Sequence, residues 1–197
     1  MNDIGPLAEG DDKIAVLKMD IDNLGTIFSA GFGEKDKSIA RTSTLSRMID
    51  LFFCGYINKI CEDLYSEYVK RNNNMAIKLD NLFYINFSGG DDLVIIGPWD
   101  WTIDLAIKIK EELRRFACYN PNVTISGGIY IADPKTPVRV TLYEGEKYLE
   151  RAKGREGKDA ICIFDKDFSW EGDVYSIEKV VKDGNLYAEW INQGHLS

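Results

Sequence analysis

Apolar positions along the chain fall into short continuous runs and one long periodic stretch. Lys13 to Met19 is an almost unbroken apolar run that ends in Asp20-Ile21-Asp22, the pattern of a strand covered on both faces. Leu45, Met48, Ile49, Phe52, Phe53, Tyr56, Ile57, Ile60, Leu64 and Tyr68 then recur at steps of three and four, which predicts a core-facing helix from about Ser38 to Lys70. Arg71 to Asp80, with three successive asparagines, reads as an exposed loop. Two further apolar runs, Leu82 to Phe87 and Leu93 to Ile96, flank Gly89-Gly90. Gly accepts the positive φ angles of tight primed turns, so a hairpin is predicted with its two-residue turn at these glycines and Asp91-Asp92 directly after it.

Beyond the hairpin, Gly97-Pro98 is expected to break the strand and Asp100 to cap a helix that buries Trp101, Leu105, Ala106, Ile109, Leu113 and Phe116. Val123, Ile125, Ile129 and Ile131 alternate with Thr124, Ser126, Gly128 and Tyr130, a half-buried strand. A third helix is predicted over about Val140 to Lys153, and Ala160 to Phe164 is a last short strand. The order strand, helix, hairpin, helix, strand, helix, strand contains the β-α-β-β-α-β pattern of the ferredoxin-like split fold, an α+β architecture. Right-handed crossovers place the hairpin's second strand between its first strand and the Lys13 strand, antiparallel to the latter. Asp20 is therefore expected to meet Asp91 and Asp92 at one edge of the sheet.

Composition narrows the chemistry. At 197 residues and 45% apolar content the chain suits one packed domain. A net charge of -8 argues against broad, unaided binding to nucleic acid. Four dispersed cysteines and a single histidine, His195, argue against a zinc site and fit reduced thiols. The N-terminal residues show no signal-peptide pattern and no apolar run approaches a membrane span, so a cytoplasmic protein is expected, with no membrane partner.

Asp91-Asp92 is a poor choice for strand stability, because adjacent carboxylates repel and Asp has low strand propensity. A solvated acidic tip is the ordinary alternative, and Asp22 alone fits the end of a strand equally well. Asp20, Asp91 and Asp92 converging without a cationic neighbour in sequence point instead to a hard divalent cation, Mg²⁺ or Mn²⁺, held together with the phosphates of a nucleoside triphosphate. The Asn23-Leu24-Gly25 turn offers backbone N–H groups to phosphate. Lys153 and Lys158 bracket a glycine-interrupted loop and suit either the terminal phosphates or the dipole of the third helix.

Together, L-K-M-D-I-D-N-L-G, T-L-S-R-M-I-D-L-F-F-C-G-Y-I-N, S-G-G-D-D-L-V-I-I-G-P-W-D, T-I-S-G-G-I and R-A-K-G-R-E-G-K resemble the G-G-D-D palm in the large subunit of type III CRISPR effector complexes, Csm type. The resemblance covers about Ile14 to Phe164 and extends more distantly to GGDEF and adenylyl cyclase palms. It implies synthesis of cyclic oligoadenylates from ATP inside a complex with other subunits, guide RNA and target RNA. It also implies metal ligation by Asp20, Ile21, Asp91 and Asp92, catalytic roles for the three carboxylates, and nucleotide contacts from Ser46, Asn23, Leu24, Gly89, Gly90, Lys153 and Lys158.

The family's nuclease domain and other palm are not visible, so the chain reads as an excerpt of a larger subunit or a reduced relative. Residues 1–165 are expected to form the palm and 166–197 an extension or linker. Three alternatives stay open: a nucleotide-binding or scaffolding palm with no activity of its own, a homodimer joining two G-G-D-D turns, and a diguanylate-cyclase-like enzyme. The G-G-D-D turn and the residues before it weigh against the last.

Overall fold

The computed structural model describes residues 12–31, 33, 38–72 and 82–170. β1 (Ile14–Ile21) is followed by a short helix α1 (Leu24–Ala30) and by α2 (Ile39–Leu51), which Ser38 caps by accepting the Arg41 N–H. A π-turn (Phe52–Tyr56) joins α2 to α3 (Ile57–Asn72), so the single long helix expected from the periodicity is continuous but widened at its middle. The hairpin strands β2 (Tyr84–Gly89) and β3 (Asp92–Pro98), α4 (Trp99–Phe116), β4 (Ile125–Ala132), α5 (Val138–Gly154), β5 (Ala160–Ile163) and β6 (Lys166–Ser169) complete the order.

The six strands lie in the order β2-β3-β1-β4-β5-β6. β1 is antiparallel to both β3 and β4, and β5 joins β4 in parallel through the α5 crossover. This is the split β-α-β-β-α-β arrangement with an added helix and hairpin. Alternate β1 residues Ala15, Leu17, Met19 and Ile21 enter the main core beneath α2, α3 and α4. On the opposite face α5 lies across β1, β4 and β5, with Gly145 over Val16 and Tyr148-Leu149 over Gly128. β1 is thus covered on both faces, as its continuous apolar run requires.

Several boundaries differ from the expected ones. β4 is buried on nearly every residue instead of half-buried, because α5 covers the face that the alternation assigned to solvent. Gly97 and Pro98 stay in β3, paired with Ala15 and Ile14; a Cβ on Gly97 would stand 2.8 Å from both Phe83 and Thr102, so the strand passes where only Gly fits. Pro98, not Asp100, occupies the N-cap of α4, and Asp100 lies in the first turn, where its charge complements the helix dipole. The sheet also runs past residue 165: β6 pairs with β5, Phe168 and Trp170 are buried, and Trp170 Nε1 donates to the Ile125 carbonyl at 2.8 Å. Residues 73–81, most of the segment expected to be a loop, and residues 171–197 lie outside the described residues. Among the described residues no helix is long and apolar enough to cross a membrane.

The closeness of α5 to the sheet depends on Gly128. A Cβ there would lie 2.3 Å from the Leu149 backbone nitrogen and 2.7 Å from the Tyr148 carbonyl carbon. Backbone cannot yield as a side chain can, so Gly128→Ala is expected to cost on the order of 3 kcal/mol, the upper range for overpacking. Chemical denaturation of the two forms measures it.

Candidate active site at the hairpin tip

Asp20 is the penultimate residue of β1, and the register sets it opposite Asp92 on β3 and Ser126 on β4. The Ile21 N–H donates to the Asp91 carbonyl at 3.0 Å, tying the end of β1 to the hairpin turn. Strand order therefore brings Asp20, Asp91 and Asp92 to one end of the sheet, as expected. Ile21 buries its side chain at 2% exposure, which leaves only its backbone to serve a cation.

The turn itself falls one residue later than the two glycines suggest. Gly89 pairs with Asp92, so the turn residues are Gly90 and Asp91, and the positive φ of 63° falls on Gly90, as a primed turn with Gly first requires. Upstream, the register of β2 jumps between Ile85 and Phe87, with Asn86 the extra, bulged residue, and it is this jump that sets Gly89 opposite Asp92. Asp91 is accordingly a turn residue and Asp92 a strand residue.

Burial pushes the Asp20 carboxyl above the usual carboxylate range, and the Asp91 and Asp92 charges add to this against the opposing pull of Lys153. Burial and the neighbouring Asp91 likewise raise Asp92, while Lys18 pulls it down. The acids thus sense one another as repelling charges. The counter-charge comes from α5: Lys153, in its last turn, forms an ion pair with Asp20 at 2.7 Å. The carboxylates are therefore not without a cationic neighbour, contrary to expectation, since Lys18, two residues before Asp20, also acts on Asp92. Lys158 lies on the α5–β5 loop with φ 54°.

Asp22 has a different role from its neighbour two residues earlier. It is fully buried and accepts hydrogen bonds from Thr124 Oγ1 at 2.9 Å, Ser126 Oγ at 2.8 Å and the Asp159 N–H at 3.0 Å. Asp159 in turn pairs with Lys110 of α4. This hub ties the Lys158 loop to β4 and was not legible locally, since its donors are 102, 104 and 137 positions away. Asp22→Ala leaves three donors without their acceptor and is expected to cost about 3 kcal/mol, with Asp22→Asn costing less; denaturation midpoints of both variants check this.

On the other side of the hairpin tip is a cavity of about 310 Å³ whose walls include Leu24, Phe28, Ser46, Arg47, Gly90 and Asp91. Ser46 and Leu24, expected at the nucleotide, are brought to Asp91 by this cavity. Asn23, in the left-handed region at φ 55°, turns the chain from β1 into α1 and so sets Leu24 there. Gly89 lies just outside, in the last position of β2.

Among the described residues no three His, Cys, Asp or Glu side chains gather as a ready-made cation cage. The site instead offers carboxylates that repel one another, one already drawing an ammonium to itself. That donor set fits Mg²⁺, which is usually held by one or two carboxylates and completed by substrate phosphates.

Residues 13–162 match the family model described as Cas10/Cmr2, second palm domain. A curated relative from Methanocaldococcus jannaschii, named as the single-strand-specific deoxyribonuclease Cas10/Csm1 of a subtype III-A CRISPR system, is 35% identical over 195 residues. The alignment covers 93% of this chain and 24% of the relative, so the chain spans about a quarter of that protein's length. Among solved structures, a Csm1–Csm4 cassette in complex with cA3 superposes with a TM-score of 0.66 at 26% identity, covering 81% of this chain and 22% of the other. The same cassette in complex with one ATP gives a TM-score of 0.66 at 25% identity, covering 84% and 22%. By sequence over its packed residues and by the fold that carries its acidic hairpin, the chain belongs to the Cas10/Cmr2 second palm domain family.

Proposed function

We propose that this chain is the ATP-binding palm of a type III CRISPR effector and joins ATP into cyclic oligoadenylates by 3′-5′ nucleotidyl transfer. The observation that carries this reading is the double position of Asp91. It forms a wall of the cavity containing Ser46, and its charge also raises the proton affinity of Asp20 and Asp92. A base in the cavity and a polyphosphate at the carboxylates would meet across one hairpin turn. The solved Csm1–Csm4 structures with cA3 and with ATP support adenine nucleotides as the ligands.

In this reading Ser46 faces the base, and the backbone at Asn23-Leu24 and Gly89-Gly90 approaches the phosphates. Lys153 and Lys158 supply point charges to the terminal phosphates. Asp20, Asp91, Asp92 and the Ile21 carbonyl would hold Mg²⁺ or Mn²⁺, which when bound would supply activation of a 3′-hydroxyl and neutralisation of charge on the leaving pyrophosphate. The new bond joins a 3′-oxygen to an α-phosphorus, and the bond to pyrophosphate breaks. Partners of the kind named for the relatives, a Csm4-type subunit within a type III-A complex, complete the assembly, together with guide and target RNA.

The test is incubation of the assembled complex with each labelled nucleoside triphosphate and Mn²⁺, with and without target RNA. Products are expected from ATP alone. Ser46→Ala is expected to weaken the preference for ATP over GTP by about 2- to 10-fold, the scale of one hydrogen bond. Equal use of ATP and GTP, unchanged in Ser46→Ala, would sink the assignment of the base pocket. Binding of ATP without any product would leave a scaffolding palm instead.

A further inference from the structure

The π-turn between α2 and α3 packs directly against the hairpin that carries Asp91. Asp50, on α2 one turn after Ser46, accepts the Gly90 N–H on its Oδ1 at 3.2 Å. The Cys54 thiol, in the π-turn, lies 3.2 Å from the same Oδ1 and 3.6 Å from the Ser88 carbonyl. The Ser88 hydroxyl donates to the Phe53 carbonyl, also in the π-turn, at 2.6 Å. The residues just before and at the turn are therefore both held by one helical segment. A Cβ on Gly89 would stand 3.4 Å from Cys54 Sγ, so the contact is close as well as polar.

Each part has a physical reason. Gly90 is a turn residue outside the β2–β3 ladder, whose last pair is Gly89 with Asp92, so its N–H turns to the helical segment instead, to the Asp50 carboxylate and toward the Cys54 sulfur. A π-turn is a local departure from regular helix that concentrates at functional positions. Here Phe52 and Phe53, adjacent in sequence, are both fully buried across it. Residues four apart lie on one helix face, and Ser46 and Asp50 both line the cavity beside Asp91.

We propose that Asp50 is a positioning residue: through the Gly90 N–H it fixes the hairpin turn, and with it Asp91, relative to the Ser46 wall of the cavity. Its importance for turnover rests on the nucleotidyl-transfer reading above; its hold on the turn does not. Because α2 carries both Ser46 and the latch, the base wall and the acidic turn move as one body.

The experiment compares Asp50→Ala, Asp50→Asn and Ser88→Ala in the assembled complex, reading amide hydrogen exchange at Gly90 and the ATP dependence of product formation. Asn keeps an acceptor oxygen, whereas Ala removes it. Asp50→Ala is expected to exchange the Gly90 amide about tenfold faster, the scale of one lost hydrogen bond. It is also expected to lower kcat by about 10- to 100-fold with KM for ATP little changed, as for a misplaced reacting group. Asp50→Asn is expected to restore both, and Ser88→Ala to show a weaker form of the Ala phenotype. Unchanged Gly90 exchange in Asp50→Ala would overturn the latch whatever the activity, and a raised KM at unchanged kcat would place Asp50 on the nucleotide instead. A wild-type complex inert towards ATP would overturn the functional reading, while the Gly90 exchange would still decide the latch.

Discussion

Asp91→Asn combined with Asp92→Asn is expected to lower oligoadenylate synthesis by the assembled complex by about 10³-fold or more while leaving the fold intact. The scale is that of removing preorganised groups that stabilise charge in a transition state. Loss of the fold is not the expected cause, because both residues sit at the hairpin tip and neither supports the core. The variant should in fact be slightly more stable near neutral pH. Asp20 and Asp92 have carboxyls raised above the usual range by burial and mutual repulsion, so the native state binds protons more tightly than the unfolded chain. Stability then falls as pH rises through the interval just above the ordinary carboxylate value, and the double substitution removes part of that fall. Product formation by labelled ATP and thermal melts at several pH values measure the two halves. Full activity in the double variant would remove the carboxylates from the mechanism.

The second large effect concerns assembly. The 197-residue chain by itself is expected to bind ATP yet make little or no oligoadenylate. Joining two nucleotides needs an acceptor 3′-hydroxyl aligned with a donor α-phosphate, and such alignment supplies about 7 to 11 kcal/mol of a barrier. The chain carries one G-G-D-D sequence, with a cavity against its turn, and a net charge of -8 does not gather a second polyphosphate. Product should therefore appear when another palm is supplied, in the full complex or by addition. A homodimer placing two such turns face to face would show itself as activity rising with the square of protein concentration. Strong turnover by a chain shown to be monomeric would overturn the requirement.

Strand order and the meeting of Asp20 with the hairpin acids were legible because they follow from few rules: apolar runs locate the strands, and crossover handedness orders them. Ser46 beside Asp91 was legible from the resemblance alone. What escaped were pairings made between elements far apart in the chain. Lys153 against Asp20 depends on how deeply α5 sinks onto β4, which Gly128 permits. Asp22 reads the same as Asp20 in sequence, and only Thr124, Ser126 and Asp159 distinguish a structural hub from a site. Asp50 had a usable signal, its spacing of four from Ser46, but its partner Gly90 becomes visible only when the turn is placed correctly. That placement failed by one residue because either glycine can take the positive φ of a primed turn, and only the pairing of Gly89 with Asp92 decides which of them does.

The bulge at Asn86 acts as the phase-setter of the whole hairpin. Were Asn86 paired with Val94, Ser88 would fall opposite Asp92 and Gly89, Gly90 and Asp91 would all be left to turn, whereas the bulge sets Gly89 there and leaves only Gly90 and Asp91. Side chains alternate with a period of two, so one added residue reverses which face each later position presents. Only in this phase does Ser88, paired with Leu93, reach the π-turn while Gly90 and Asp91 alone form the apex. Replacing Asn86 and deleting it are thus unlike lesions: the first alters one exposed side chain, while the second leaves Gly89 opposite Asp92 and takes away only the bend that the bulge puts into the strand leading to the acids.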